Sequence, residues 1–163
     1  FGLNNGMVPI VAYNYGARKP DRLVKTVKLS IMYAICMMII GFLIFQIIPA
    51  QLLHIFNASE NMLAIGIPAL RIISISFLIA GFCIIASSLF QALGHGLLSL
   101  IVSIMRQLVV LLPAAYILAQ FGNVNYVWWA FPMAEIASII FCSFFLRYIY
   151  KKEIKPLYDM PAV

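Results

Sequence analysis

The chain has 163 residues, of which 64% are hydrophobic and 10% charged, whereas soluble domains carry roughly 25% charged residues. This composition excludes a soluble globular domain and predicts an all-α, polytopic membrane protein. The formal net charge is +6, but the basic residues gather at the ends of apolar segments, as they do in the cytoplasmic loops of membrane proteins. We therefore expect the lipid bilayer, and no nucleic acid, as a partner.

The first apolar segment, residues 1–16, is too short to cross about 30 Å of hydrocarbon, which takes about 20 helical residues. It opens on Phe1 inside an apolar run. We interpret it as the end of a transmembrane helix that begins earlier, and we expect the sequence to be a fragment of a longer protein.

Residues 17–28 are predicted to form a cytoplasmic loop and a short helix that is continuous with the next span or bent into it. Pro20 and Asp21 favour a helix start there, because proline suits the first helical position and an acid suits the first turn. The apolar stretches long enough to cross a membrane follow at 29–49, 67–90, 97–120 and 127–147. Residues 148–163 are predicted to be a cytoplasmic tail.

The distribution of lysine and arginine predicts the orientation. Basic residues are frequent in 17–28 and in the tail, whereas 51–66 and 121–126 contain none. Cytoplasmic loops carry the excess of such residues, so both basic regions are expected in the cytoplasm. Four crossings after residue 28 return the chain to the same side, which agrees with this orientation.

Two charged residues lie deep inside apolar stretches, where a charge is costly and usually has a partner or a function. Arg106 lies about 14 Å from the cytoplasmic side and Glu135 about 12 Å from the outer side at 1.5 Å per residue. Their depths in a core about 30 Å thick are similar enough for an ion pair. Such a pair would fix packing; alternatively, either residue faces a transport pathway and responds to protons or substrate.

Four polar residues in or beside the apolar segments are further candidates for a substrate or ion pathway, namely Asn4, Asn14, Ser87 and Gln91. Amide and hydroxyl groups in a membrane also bond between helices, which contributes about 1 kcal/mol each. Both roles stay open for these residues.

A membrane-embedded hydrolase is one alternative, because Ser87, Ser88 and His95 are close in sequence. A nucleophilic serine needs a base within hydrogen-bond reach and an oxyanion stabiliser. His95 falls in a connection at the membrane interface and neither serine is flanked by glycine, so the pattern argues against an enzyme. The three cysteines lie in separate apolar runs and show no spacing typical of a metal site.

Several motifs occur in the order typical of one transporter family. They are residues 6–18 (GMVPIVAYNYGAR), residues 87–94 (SSLFQALG), Arg106 and Gln107 followed by Pro113, and residues 129–135 (WAFPMAE). Together they cover nearly the whole chain, which resembles the MATE family of multidrug and toxic compound extrusion transporters.

The resemblance implies a helical protein of two six-helix lobes, of which this chain is the second lobe from its second helix onward. It further implies a bacterial inner-membrane antiporter that couples inward flow of Na⁺ or H⁺ to export of organic cations, drugs or toxins by alternating access. The partners it implies are an N-terminal lobe of the same protein and small organic cations. No cofactor is implied beyond the coupling ion.

One feature departs from part of the family. Residues 67–90 contain no Asp or Glu, whereas one branch carries an acid there as part of a cation site. The sequence is more similar to the DinF-like branch, which implies that the coupling ion binds mainly outside this chain. A flippase for lipid-linked oligosaccharides shares the two-lobe architecture and is the closer alternative, although this chain offers chiefly Arg106 for the cationic cavity of such proteins.

Overall fold

A computed structural model describes residues 2–159, and every regular element in that range is a helix. The α-helices are α1 (Gly2–Gly16), α2 (Pro20–Ile47), α3 (Pro49–Ile55), α4 (Glu60–Ile75), α5 (Phe77–Ala92), α6 (Gly96–Ile104), α7 (Leu112–Ala119), α8 (Val124–Val127) and α9 (Ala130–Ile149). A π segment, Met105–Leu111, joins α6 to α7, and a second, Tyr150–Ile154, continues α9 into a final 3₁₀ turn, Lys155–Asp159. The predicted all-α fold is confirmed.

Three continuous helical stretches are long and apolar enough to cross a membrane: Pro20–Ile47, Gly96–Ala119 and Val124–Asp159. The pair α4 and α5, which is bent by 51°, provides a fourth crossing if it forms one span. With α1, these elements form the helical bundle of a polytopic membrane protein.

The basic region before the first span is part of that span's helix. Pro20 occupies the first helical position and Asp21 the first turn of α2, which has 28 residues. At 1.5 Å per residue this helix is about 42 Å long, against about 30 Å of hydrocarbon. The helix therefore extends beyond the membrane core, and of the two geometries predicted for 17–28 the continuous one is present from Pro20 onward.

The prediction of one uninterrupted span over 67–90 is wrong. The helix begins earlier, at Glu60, because the Ser59 side chain accepts a hydrogen bond from the Met62 amide and caps its start. It then ends at Ile75, and a new helix begins at Phe77. The hydroxyl of Ser76 donates to the Ile73 carbonyl at 2.5 Å, which gives the backbone at the break a local partner in place of the regular helical one.

The core is centred on α5, which packs against α1, α2 and α9. Ile85, Leu89 and Phe90 on this helix are all almost fully buried. The backbones of α2 and α5 approach each other closely at Gly81, where an added Cβ would lie 3.3 Å from the backbone carbonyl atoms of Ala34. A glycine is what permits this approach.

The region predicted to be a tail is an ordered helix as far as Asp159. Ile149, Ile154 and Leu157 recur on one side and are buried, and the final turn contacts α2. This apolar recurrence, rather than the adjacent lysines, decides the structure of the segment. Residue 1 and the last part of the predicted tail, 160–163, lie outside the described residues.

Candidate functional site

The two deep charges meet. Arg106 lies in the π segment between α6 and α7, and Glu135 lies on α9, which packs against that segment. The Arg106 guanidinium donates a hydrogen bond to Glu135 Oε1 at 3.0 Å. The ion pair that the sequence makes possible is therefore present, and it joins two neighbouring membrane helices.

Pro113 accounts for the irregular helix that carries Arg106. A proline within a helix has no N–H to donate, and its ring clashes with the carbonyl four residues earlier, here that of Val109. The wider π segment ends at Leu111, just before this proline. Such π segments leave backbone groups free and are frequent at functional sites.

Glu135 has one satisfied oxygen and one unsatisfied oxygen. Its side chain is only 11% exposed, whereas that of Arg106 is 35% exposed. Among the residues described, Oε2 has no hydrogen-bond partner although the atom is buried. A buried polar atom of this kind costs about 1–3 kcal/mol unless a water molecule, an ion or a proton satisfies it.

A small cavity lies beside the pair. Its volume is about 200 Å³, and its polar lining consists of Ser76, Arg106, Gln107 and Glu135. Since one liquid water molecule occupies about 30 Å³, the cavity has room for several waters or for a small polar group. Ser76 reaches it because α4 ends there, so the helix break and the ion pair belong to one polar centre.

The charges of this centre limit its chemistry. Arg106 and Glu135 neutralise each other, while Oε2 remains a free acceptor and Arg106 retains unused N–H donors. The arrangement can bind water, a proton or a small polar molecule. It holds no nucleophile with an adjacent base.

The other four candidates do not line this cavity. Asn14 is buried and donates to the Ile10 carbonyl of its own helix at 2.8 Å. Gln91 donates to Ser99 Oγ at 2.9 Å and so connects α5 to α6. Asn4 Oδ1 is buried and lacks a partner within residues 2–159, and Ser87 is half-buried on α5. Their role in a pathway stays a prediction.

The sequence did not single out Gln46, which supports the helix break from outside. Its side-chain amide donates to the Arg71 carbonyl at 2.8 Å and to Ser74 Oγ at 3.0 Å. Ser74 itself donates to the same carbonyl at 3.0 Å. Two serines spaced by one residue inside an apolar stretch were the available signal, because such side chains compete for helical carbonyls.

A second polar cluster lies near the ends of α1, α5 and α9. His95 Nε2 contacts Glu153 Oε1, and the Tyr15 hydroxyl donates to Glu153 Oε2 at 3.2 Å. The hydroxyl of Ser88 donates instead to the Ile84 carbonyl at 2.9 Å. Thus His95 partners an acid and not a serine, which removes the geometric basis for the hydrolase.

Comparison with known proteins gives a consistent result. A family model described as MatE matches residues 1–117. The multidrug export protein MepA of Staphylococcus haemolyticus is 24% identical over 153 residues, which are 91% of this chain and 31% of that protein. MepA of Staphylococcus saprophyticus is 26% identical over 138 residues, or 82% of this chain and 29% of that protein.

Solved transporters share the fold. The MATE multidrug transporter DinF-BH in complex with R6G is 32% identical, with a TM-score of 0.81 over 98% of this chain and 35% of that one. An inward-facing multidrug resistance MATE transporter gives 0.85 at 21% identity, over 99% of this chain and 37% of that one. An outward-facing one gives 0.82 at 22% identity, over 96% and 35%. The chain spans about a third of the length of these relatives.

Proposed function

The chain belongs to the MATE family, and on this basis we propose that it forms most of the second lobe of a cation-coupled multidrug exporter. The transporter would expel organic cations, drugs or toxins in exchange for Na⁺ or H⁺. The relatives are transporters and not enzymes, so the hydrolase alternative is set aside.

The observation that carries this proposal is the match to transporters in two states. The chain aligns over nearly its whole length to an inward-facing and to an outward-facing transporter, with TM-scores of 0.85 and 0.82. A segment that keeps one fold in both states behaves as a rigid unit. This is what alternating access requires when one bundle rocks against another around a central site.

Within this proposal the Arg106–Glu135 pair holds the lobe together as it moves. It joins the helix Gly96–Ala119 to α9 at membrane depth, where neither charge is easily solvated. The free oxygen of Glu135 and the adjacent cavity would take up water or a proton. We propose that the principal coupling site for Na⁺ or H⁺ lies in the rest of the transporter, because α4 and α5 carry Glu60 only at the exposed start.

The proposed orientation places the start of α2 and the end of the α9 helix in the cytoplasm of a bacterium, with the protein in the inner membrane. Support comes from Arg18, Lys19 and Arg22 at one end and Lys151 and Lys152 at the other, since cytoplasmic ends carry the excess of basic residues. The family match and the named relatives favour drug export over the flippase of lipid-linked oligosaccharides.

The test uses the full-length transporter in everted membrane vesicles. A fluorescent organic cation should accumulate when an inward-directed coupling gradient is imposed, and collapsing the Na⁺ or the H⁺ gradient separately identifies the coupling ion. Vesicles that hold normal amounts of the protein but show no gradient-dependent accumulation across a panel of cations would contradict the proposed export.

A further inference from the structure

An apolar groove runs between α2 and α9 near the ends that carry the basic residues. Its volume is about 320 Å³, and Leu89 of α5 forms part of its floor. Val27 and Ile31 line one wall and Leu146 the other. The size falls within the range of small-molecule sites, and the apolar lining suits a hydrocarbon chain.

Basic side chains border the same groove from both walls. Lys28 comes from α2, Arg147 from the last turn of α9, and Lys151 from the π segment that follows. Arg147 and Lys151 are four residues apart and so lie on the same side of their helix. No acid lines the groove, and within residues 2–159 none of the three forms an ion pair with a carboxylate.

Apolar walls with an uncompensated cationic rim are complementary to a molecule with a hydrocarbon tail and a negative head. An organic cation is disfavoured, because three positive charges would repel it. Anionic lipids attract basic residues at the cytoplasmic surface by about 1 kcal/mol each, and basic pockets between membrane helices bind their head groups.

We propose that this groove binds an anionic phospholipid of the cytoplasmic leaflet. One acyl chain lies over Leu89 between α2 and α9, and the phosphate lies among Lys28, Arg147 and Lys151. The proposal depends on the cytoplasmic orientation of these helix ends and not on drug transport, so binding and transport are tested separately.

The experiment measures thermal stabilisation of the purified full-length transporter by added phosphatidylglycerol, with phosphatidylcholine as the uncharged comparison. Phosphatidylglycerol should raise the melting temperature more. Lys28→Gln and Lys151→Gln should each weaken its apparent affinity about fivefold, which corresponds to the loss of about 1 kcal/mol.

Lys152→Gln is the matched control. It removes the same charge one residue away, but Lys152 contacts the Tyr148 hydroxyl at 2.9 Å and does not line the groove. Its affinity should stay unchanged. Equal stabilisation by both lipids, or equal losses in Lys151→Gln and Lys152→Gln, would overturn the proposal, since either result describes a non-specific surface charge.

A second pair of variants tests the acyl chain without altering any charge. Ile31→Trp should fill the half-buried groove wall and abolish the preference for phosphatidylglycerol, whereas Leu43→Trp, at an exposed position of the same helix, should preserve it. A lipid-soluble maleimide should label the Ile31→Cys variant, and phosphatidylglycerol should slow that labelling. An introduced thiol that stays unreactive without added lipid would show that another part of the transporter covers the groove, which also overturns the proposal.

Discussion

Glu135 offers Oε1 to the guanidinium of Arg106 at 3.0 Å and keeps Oε2 buried without a partner among the described residues. A bidentate pair would have used both oxygens and would have been the stronger arrangement. The monodentate geometry instead leaves one acceptor facing a cavity that Ser76 and Gln107 also line. The pair therefore joins two helices and at the same time keeps a polar centre open at membrane depth.

We expect single substitutions of this pair to destabilise the lobe. Arg106→Gln and Glu135→Leu each leave the remaining charge without its partner in a partly buried site, which costs on the order of 1–3 kcal/mol. Thermal melting of the full-length transporter in detergent measures the effect. Glu60→Gln, at an exposed position in the first turn of α4, should change stability by no more than about 0.5 kcal/mol.

Exchanging the two charges separates pairing from a role in the pathway. If pairing is the main function, the Arg106→Glu, Glu135→Arg double variant should recover at least half of the stability and the transport that the single variants lose. A double variant as inactive as the singles, at normal protein levels, would argue that one residue acts individually on the pathway.

The break between α4 and α5 should depend on Gln46. In Gln46→Leu the hydrogen bonds to the Arg71 carbonyl and to Ser74 Oγ are lost, and the carbonyl retains only its bond from Ser74. We expect a loss of about 1 kcal/mol in stability, together with faster hydrogen exchange of backbone amides around Ser76.

Gln51→Leu is the control for this change, because it removes the same amide from an exposed position on the neighbouring helix α3. Hydrogen exchange around Ser76 should match the unmodified protein in that variant. Similar exchange rates in both variants would mean that the serines alone stabilise the break.

The sequence predicted the elements that depend on summed hydrophobicity and charge. Helical class, membrane character and the possible meeting of Arg106 with Glu135 follow from apolar length and depth, and each is present in the structure. The break at Ser76 was not predicted, because an apolar average over 67–90 does not register two serine hydroxyls that bond to nearby carbonyls. The contact of His95 with Glu153 was missed for another reason: the two residues are 58 positions apart, and only packing of α5 against α9 brings them together.

The cluster of Tyr15, His95 and Glu153 should hold the end of the α9 helix against the bundle. Glu153→Gln removes the charge that Tyr15 and His95 both contact. Because hydrogen bonds to a charged group contribute about 1.5–3 kcal/mol, we expect faster proteolysis near residues 150–159 in this variant.

Tyr15→Phe should produce a smaller effect in the same direction, since it removes one hydrogen bond and keeps the ring. Tyr13→Phe is the matched control, because Tyr13 lies on the same helix with 71% of its surface exposed. Equal proteolysis of the Tyr15→Phe and Tyr13→Phe variants would show that the contact with Glu153 does not hold the segment.

The close approach of α2 and α5 should tolerate no large side chain at Gly81. A Cβ there already lies 3.3 Å from the Ala34 backbone and from Met38 Cγ, so the remainder of a leucine must separate the two helices. Overpacking of this kind costs about 1–3 kcal/mol, and we expect a lower melting temperature and less folded protein in the membrane. Gly96→Leu provides the comparison, because an added Cβ at Gly96 meets no atom within 4 Å and leucine has the higher helix propensity. A Gly81→Leu variant as stable as Gly96→Leu would require α2 and α5 to be farther apart than this packing allows.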